Sequence, residues 1–185
     1  VMLTFTFDPF PIITTERLVL RDVRHSDRDD LFLIRSDEET MKYIPRPIAK
    51  TPEDITPVIQ MVQDFVTANE RINWAITEKG SDKLIGMIGY VRVLPDSHRA
   101  EIGYVLNKAY HRTGIMMEAL KAVMDYGFEG MKLHSVEAVI NPENTASCRL
   151  VEKYGFTKDA YFRDYINHND RFVDAVVYSF LKNKG

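Results

Sequence analysis

The sequence predicts a mixed α/β fold, and three observations carry the prediction. Short apolar runs alternating with a strand's period of two recur along the chain. Three of them are joined by tight turns, which makes an antiparallel meander, and a long helix then separates the third from a fourth, which makes a locally parallel crossover. The 185 residues are read as one domain spanning 1–185, long enough to bury a full core without a metal or disulfide staple.

In order, Leu18 and Leu20 alternate with Arg17, Val19 and Arg21 and form a first strand. Ser26 followed by Asp29 is a capping-box start for a short helix that carries Leu31, Phe32 and Ile34. Pro45, Pro47, Pro52 and Pro57 punctuate the next stretch. Thr51-Pro52 opens a helix with Ile59, Val62, Phe65 and Val66 on its apolar face, and Pro57 either kinks it or delays its start. Trp74 and Ile76 mark one strand and Leu84 to Val93 another, around the turn Lys79-Gly80-Ser81-Asp82. The turn Pro95-Asp96-Ser97-His98 leads back into a central strand. After the long helix, Ser135 to Ile140 reads as a strand stopped by Asn141-Pro142, and Thr145 to Tyr154 as a helix closed by Gly155. Phe156 to Leu181 alternates like a strand pair around Asn167-His168-Asn169-Asp170.

Composition narrows the function. With 45% hydrophobic and 28% charged residues the chain is globular, and a net charge of −3 argues against general nucleic-acid binding and toward small or cationic partners. Cys148 is the one cysteine, without a metal-ligand cluster at its flanks, so no intrachain disulfide forms and no metal is expected. No run of about 18 apolar residues predicts a membrane span. The start VMLTFTFDPFPII lacks the pattern of a signal peptide, so the expected location is cytoplasmic. Leu3, Phe5, Phe7, Phe10 and Ile12 suggest an arm that packs within one subunit or across a homodimer, leaving monomer and dimer open.

The chain is organised around residues 100–128. Ile102, Tyr104 and Leu106 alternate along the central strand, and from Ile115 the apolar positions follow a helical stripe with Glu118, Lys121 and Asp125 off it. Between them lies a turn with Lys108, His111, Arg112, Thr113 and Gly114. Open N–H groups at a helix start suit an anion such as a phosphate, although a strand–turn–helix joint is also common as plain architecture.

Six short runs in this order resemble the GNAT family of N-acetyltransferases, and within it the RimJ/RimL-like branch that acetylates the N-terminal amines of ribosomal proteins. They are Glu16-Arg17-Leu18-Val19-Leu20-Arg21, Ile85-Gly86-Met87-Ile88-Gly89, Ala100-Glu101-Ile102-Gly103-Tyr104, Gly114 with Glu118-Ala119, Asn141 through Ser147, and Glu152-Lys153-Tyr154-Gly155-Phe156. The resemblance implies a twisted, mostly antiparallel sheet splayed at the central strand, with acetyl-coenzyme A wedged into the splay. It also implies that the main chain of Val105 and Leu106 binds the pantetheine, and that the turn and helix start, Arg112, Thr113, Gly114, Ile115, Met116 and Met117, hold the pyrophosphate. The run His111-Arg112-Thr113-Gly114-Ile115-Met116 departs from the family pattern, with Met116 where a second small residue is usual and Arg112 a possible extra phosphate contact.

Acetyl transfer to an amine needs a neutral amine, a stabilised oxyanion and a proton for the departing thiolate. An α-amine with a reference pKa near 8 is easier to deprotonate than a lysine amine at about 10.4, which favours a protein N-terminus as acceptor. Glu101, on the central strand, is the first choice for the base or for the group that holds a water acting as base; Asp164, before Tyr165, is the second, and Glu137 a third. The tyrosine that some relatives carry on the second helix is replaced by Val151. By resemblance Ser147 stands near the cofactor sulfur, and Asn144 matches a cofactor-contacting side chain; both also suit a helix start. Residues 40–70 and 160–172 are expected to line the acceptor pocket. Two alternatives go with this reading: an acetyltransferase for a small amine such as a polyamine or antibiotic, and a catalytically weakened acyl-coenzyme A-binding or sensing protein.

Overall fold

The computed structural model describes residues 1–183, and the predicted alternation builds its sheet. Eight strands, β1 (Ile13–Thr14), β2 (Leu18–Arg21), β3 (Ile72–Glu78), β4 (Gly86–Leu94), β5 (Arg99–Leu106), β6 (Ser135–Ile140), β7 (Thr157–His168) and β8 (Arg171–Leu181), lie in the order β1-β2-β3-β4-β5-β6-β8-β7. Every neighbouring pair is antiparallel except β5–β6. The exception follows from the connection, because a helix as long as α4 (Ile115–Glu129) carries the chain back across the sheet before β6 begins.

That helix covers one face of the sheet. Ile115, Ala119, Leu120, Val123, Met124 and Phe128 are buried, and they pack with Trp74, Ile88, Tyr90 and Ile102 in the main core. Gly127 is needed there: a Cβ at that position would lie 2.1 Å from the hydroxyl of Tyr90, which donates to the Val123 carbonyl at 2.7 Å. α5 (Thr145–Tyr154) adds Val151 to the same core. On the other face α1 (Arg28–Arg35), α2 (Glu38–Met41) and α3 (Thr56–Thr67) enclose a smaller core of Leu31, Ile34, Ile55, Ile59 and Val62 against Ala75 and Leu84.

Three local differences from the sequence reading have simple causes. Pro57 delays its helix: Pro52–Ile55 form a 3-10 turn, with the Asp54 carboxylate accepting from the Lys50 and Thr51 amides, and α3 follows. Asp27, rather than Ser26, organises the approach to α1 by accepting from the Arg24 amide at 2.8 Å. The four-residue α2 is too short to show a period, and its sign in the sequence is only the cap Asp37, which accepts from Thr40. The apolar arm packs on its own chain: Phe7 is buried in the main core, and the Trp74 indole donates to Pro11 at 2.7 Å.

Candidate active site

The sheet opens at one point. β5 and β6 pair only at Arg99–Ser135, Ala100–Val136 and Glu101–Glu137, whereas β4 stays paired with β5 as far as Leu106 and β8 stays paired with β6 as far as Ile140. Beyond Glu101 the two strands diverge, and a cavity of about 260 Å³ lies between them, lined by Glu101 to Val105 on one side and Ala138 to Asn141 on the other.

The edge of β5 that faces the gap can be assigned. The Asn107 amide bonds back toward β4, to Ile85 at 2.8 Å, and successive amides of a strand point to opposite edges. The amides of Tyr104 and Leu106 are therefore turned to the opening, and the Leu106 carbonyl meets the His111 ring there at 2.9 Å. Val105 is corrected in this respect: its amide faces β4, and it reaches the cavity through its side chain.

Glu101 stands at the vertex of the splay. Its side chain is 22% exposed, with the Arg92 guanidinium 3.6 Å away. Burial pushes its carboxyl above the ordinary glutamate range, and Arg92 only partly opposes this. Glu137, directly opposite in the register, is differently placed: it is buried, receives Arg92 at 2.7 Å and lies 3.7 Å from Arg99. An acceptor-only carboxylate engaged by two guanidiniums is an anchor, whereas Glu101 retains a face toward the cavity.

On the far side of β5, the Tyr104 hydroxyl lies 2.6 Å from the Ser147 hydroxyl. Burial pushes the Tyr104 phenol up to about 12, against the hydrogen bond to Ser147, so the phenol keeps its proton at neutral pH. Sequence reasoning named Ser147 and missed its partner; Tyr104 was visible only as part of the Glu-Ile-Gly-Tyr run. Asn144 lines the cavity and also caps α5, accepting from the Ser147 amide at 3.2 Å, which leaves its amide nitrogen free. Cys148 packs against the main core.

The turn before α4 brings two left-handed residues to the helix start. Arg112 and Gly114 both have positive φ, 62° and 79°, and the first backbone bond of the helix runs from the Glu118 amide to the Gly114 carbonyl at 3.1 Å. The amides of Ile115, Met116 and Met117 precede that ladder and remain open. Met116 packs partly against the main core, and the group nearest a Cβ built on Gly114 is Arg17 Nη2 at 3.4 Å. Arg17, unassigned by the sequence reading, donates to the Thr113 carbonyl at 2.9 Å and is held by Glu118 at 2.8 Å. Thr113 turns its hydroxyl back to the Tyr110 carbonyl.

Asp164 is not brought to the cleft. It sits at positive φ (49°) in an irregular stretch of the β7–β8 hairpin, exposed, with its amide bonded to the Asp174 carboxylate at 2.9 Å. The hairpin residues that line the cavity are instead Ile166 and His168 on β7 and Val173 on β8. The wall opposite the hairpin is formed by Arg35 and by Met41, Tyr43, Ile44, Pro45 and Arg46, so of residues 40–70 the first few line the cavity and α3 does not. Among the described residues no group of His, Cys, Asp and Glu could hold a metal ion, and no helix is long and apolar enough to cross a membrane.

A mixed sheet split beside its central strand, with one strand edge left open at the opening and a helix starting just beyond it, is the architecture of an acyltransferase fold. The sequence model of the Acetyltransferase (GNAT) domain matches residues 17–157, and the chain belongs to that family as an N-acetyltransferase. The chain is 34% identical over 176 residues to the uncharacterized N-acetyltransferase YoaA of Bacillus subtilis, covering 94% of this chain and 98% of that protein. It is 26% identical over 172 residues to the [ribosomal protein uS5]-alanine N-acetyltransferase of Escherichia coli, covering 89% and 88%. A crystal structure of a GNAT-family acetyltransferase from Bacillus anthracis superposes with a TM-score of 0.82 at 32% identity, covering 92% of this chain and 98% of that one.

Proposed function

We propose that this N-acetyltransferase moves the acetyl group of acetyl-coenzyme A to an α-amine, that of a polypeptide N-terminus in the manner of the ribosomal-protein enzymes, and that it works in the cytoplasm as a monomer or homodimer without nucleic acid or membrane. The observation that carries the reading is the placement of Glu101 and the Tyr104–Ser147 pair on opposite faces of one strand whose edge is open between them.

The residues fit the co-substrate. The amides of Tyr104 and Leu106 would pair with an amide-bearing chain laid along β5, and the open amides of Ile115, Met116 and Met117 with Arg17 and Arg112 nearby would hold its diphosphate. Bound acetyl-coenzyme A supplies an activated thioester. Glu101, with its carboxyl pKa raised by burial, takes the proton from the incoming amine directly or through a water. The hydroxyls of Tyr104 and Ser147 share one hydrogen bond in which either can donate, and with Tyr104 as donor the Ser147 proton is free to meet the departing thiolate. A thiolate with a reference pKa of about 8.5 needs only that modest help.

The test is release of free thiol from acetyl-coenzyme A with a panel of N-terminal peptides, lysine side-chain analogues and polyamines. Turnover confined to α-amines, falling about tenfold or more in Tyr104→Phe, is the expected outcome. Preference for polyamines or lysine amines would overturn the acceptor assignment. A thermal midpoint unmoved by millimolar acetyl-coenzyme A would overturn the co-substrate, since a ligand at about 100 times its dissociation constant adds about 2.7 kcal/mol.

A further inference from the structure

One wall of the cleft carries two arginines, Arg35 and Arg46, and neither is held in a contact ion pair among the described residues. Arg35, at the end of α1, lines the cavity with its Nε buried and without a hydrogen-bond partner. It enters none of the ion pairs among the described residues. Arg46 lines the same wall, and its one hydrogen bond goes to the neighbouring Pro45 carbonyl at 3.1 Å. The loop bearing Arg46 is pinned beside α1 by the Ala49 amide on the Arg35 carbonyl at 3.0 Å. The two guanidiniums repel each other, and burial with that repulsion lowers the pKa of Arg35.

The lining contains one carboxylate, Glu101, which already faces Arg92 at 3.6 Å and is felt at longer range by Arg46, so one carboxylate serves more than one guanidinium and Arg35 is left without any. A cation in the last turn of a helix is favoured by the helix dipole, which accounts for an arginine there but not for a guanidinium held at a cavity beside a second one. Burying the Arg35 Nε without a partner is costly unless a ligand supplies one, and the exposed Arg46 beside it adds a second donor set for the same ligand. The local charge thus runs against the net charge of −3, which had suggested cationic partners.

We infer that the acceptor is an amine that also carries a carboxylate: Glu101 receives the amine while Arg35 and Arg46 receive the carboxylate as a bidentate, charge-assisted contact. The inference rests on acetyl transfer to an α-amine, and it adds that the molecule bearing this amine is acidic close to the nitrogen. The carboxylate has two sources, an acidic side chain at the start of a polypeptide or the carboxyl group of a free amino acid.

Two matched pairs distinguish these sources: peptides that differ only in Glu against Gln at the second position, and a free amino acid against its amide. The carboxylate member of at least one pair should have a kcat/KM about 10- to 100-fold higher, the range of a hydrogen bond to a charged group. The advantage should reside in KM for the acceptor. It should shrink toward unity in Arg46→Met and in Arg35→Met, with KM for acetyl-coenzyme A unmoved; Arg46 is exposed, so its variant keeps the fold. Equal rates within both pairs would overturn the inference and leave the α-amine reading intact. Loss of preference accompanied by a raised KM for acetyl-coenzyme A would overturn it too, by assigning the arginines to the co-substrate. Turnover with none of the acceptors would overturn the α-amine reading. The anion site is then judged by succinate, which should raise the thermal midpoint of the wild type and not of the double variant; no shift in either would overturn it.

Discussion

Arg21 is buried and Arg35 is half-buried with its Nε out of solvent, and the difference in how the fold partners them separates scaffold from site. Arg21, 4% exposed at its side chain, uses every donor: Asp27 takes two at 2.7 and 2.9 Å, Asp82 one at 2.8 Å, and the carbonyls of Asp22 and Asp82 the rest. Its interactions with Asp27 raise its pKa despite burial. Arg35 has no carboxylate, an orphaned Nε and a lowered pKa. A closed ionic cluster fixes the turn between β2 and α1; an open one leaves a charge for something outside the chain.

Breaking the closed cluster should produce the largest effect. Asp27→Ala leaves the Arg21 charge buried with one exposed carboxylate, and unfolding in denaturant should show a loss of about 3–5 kcal/mol. At the open site the effect should move from stability to rate. Glu101→Gln should lower kcat by at least about 10²-fold. The wild-type rate should fall at pH values above the ordinary glutamate range, because the buried carboxyl protonates early, and this limb should vanish in the variant. The folded pKa of Glu101 exceeds its unfolded value, so the fold favours the protonated form. The ionised carboxylate costs stability above that pKa, and Glu101→Gln should be no less stable than wild type at neutral pH.

Arg35→Met sharpens the contrast further: relieving an unpaired cation should leave stability unchanged or raise it by about 0.5–2 kcal/mol, the opposite sign to Asp27→Ala. The smallest effect is expected at Asp37, whose carboxylate is held at about 2 by Lys108 and Thr40. Asp37→Asn keeps the cap on α2 and removes the ion pair, worth about 0.2–1 kcal/mol and fading in salt. The folded pKa is depressed, so this contribution is present above the ordinary aspartate range and is lost as pH falls toward 2; the stability difference between wild type and variant should close across that window, while the other depressed carboxylates, such as Asp54 and Glu118, titrate equally in both.

How much of the site could be read in advance depended on the kind of residue. Ser147, Asn144 and Glu101 lie in runs that resemble the family, and the structure gathers them around the opening; of the turn from Arg112 to Met117 only Gly114 belongs to such a run, and it takes the positive φ that a glycine favours. Asp164 lay in a hairpin whose irregular register decides where each side chain points, and alternation counted from the sequence does not survive a bulge. Arg35 gave no signal, since an arginine in the last turn of an amphipathic helix is the commonest kind of surface residue.

Periodicity, turn chemistry and length were enough for seven of the eight strands and the long crossover helix, because these follow from local spacing and from the reach of a connection, whereas the two-residue β1 and the four-residue α2 are too short to show a period. Which carboxylate is free, which amide edge is open and which arginine lacks a partner were settled only when β5 and β6 parted after Glu101. Those properties belong to pairs of residues far apart in the chain. Glu101 and Glu137 are alike as strand carboxylates, and only the positions of Arg92 and Arg99 in space make one an anchor and leave the other open to the cavity.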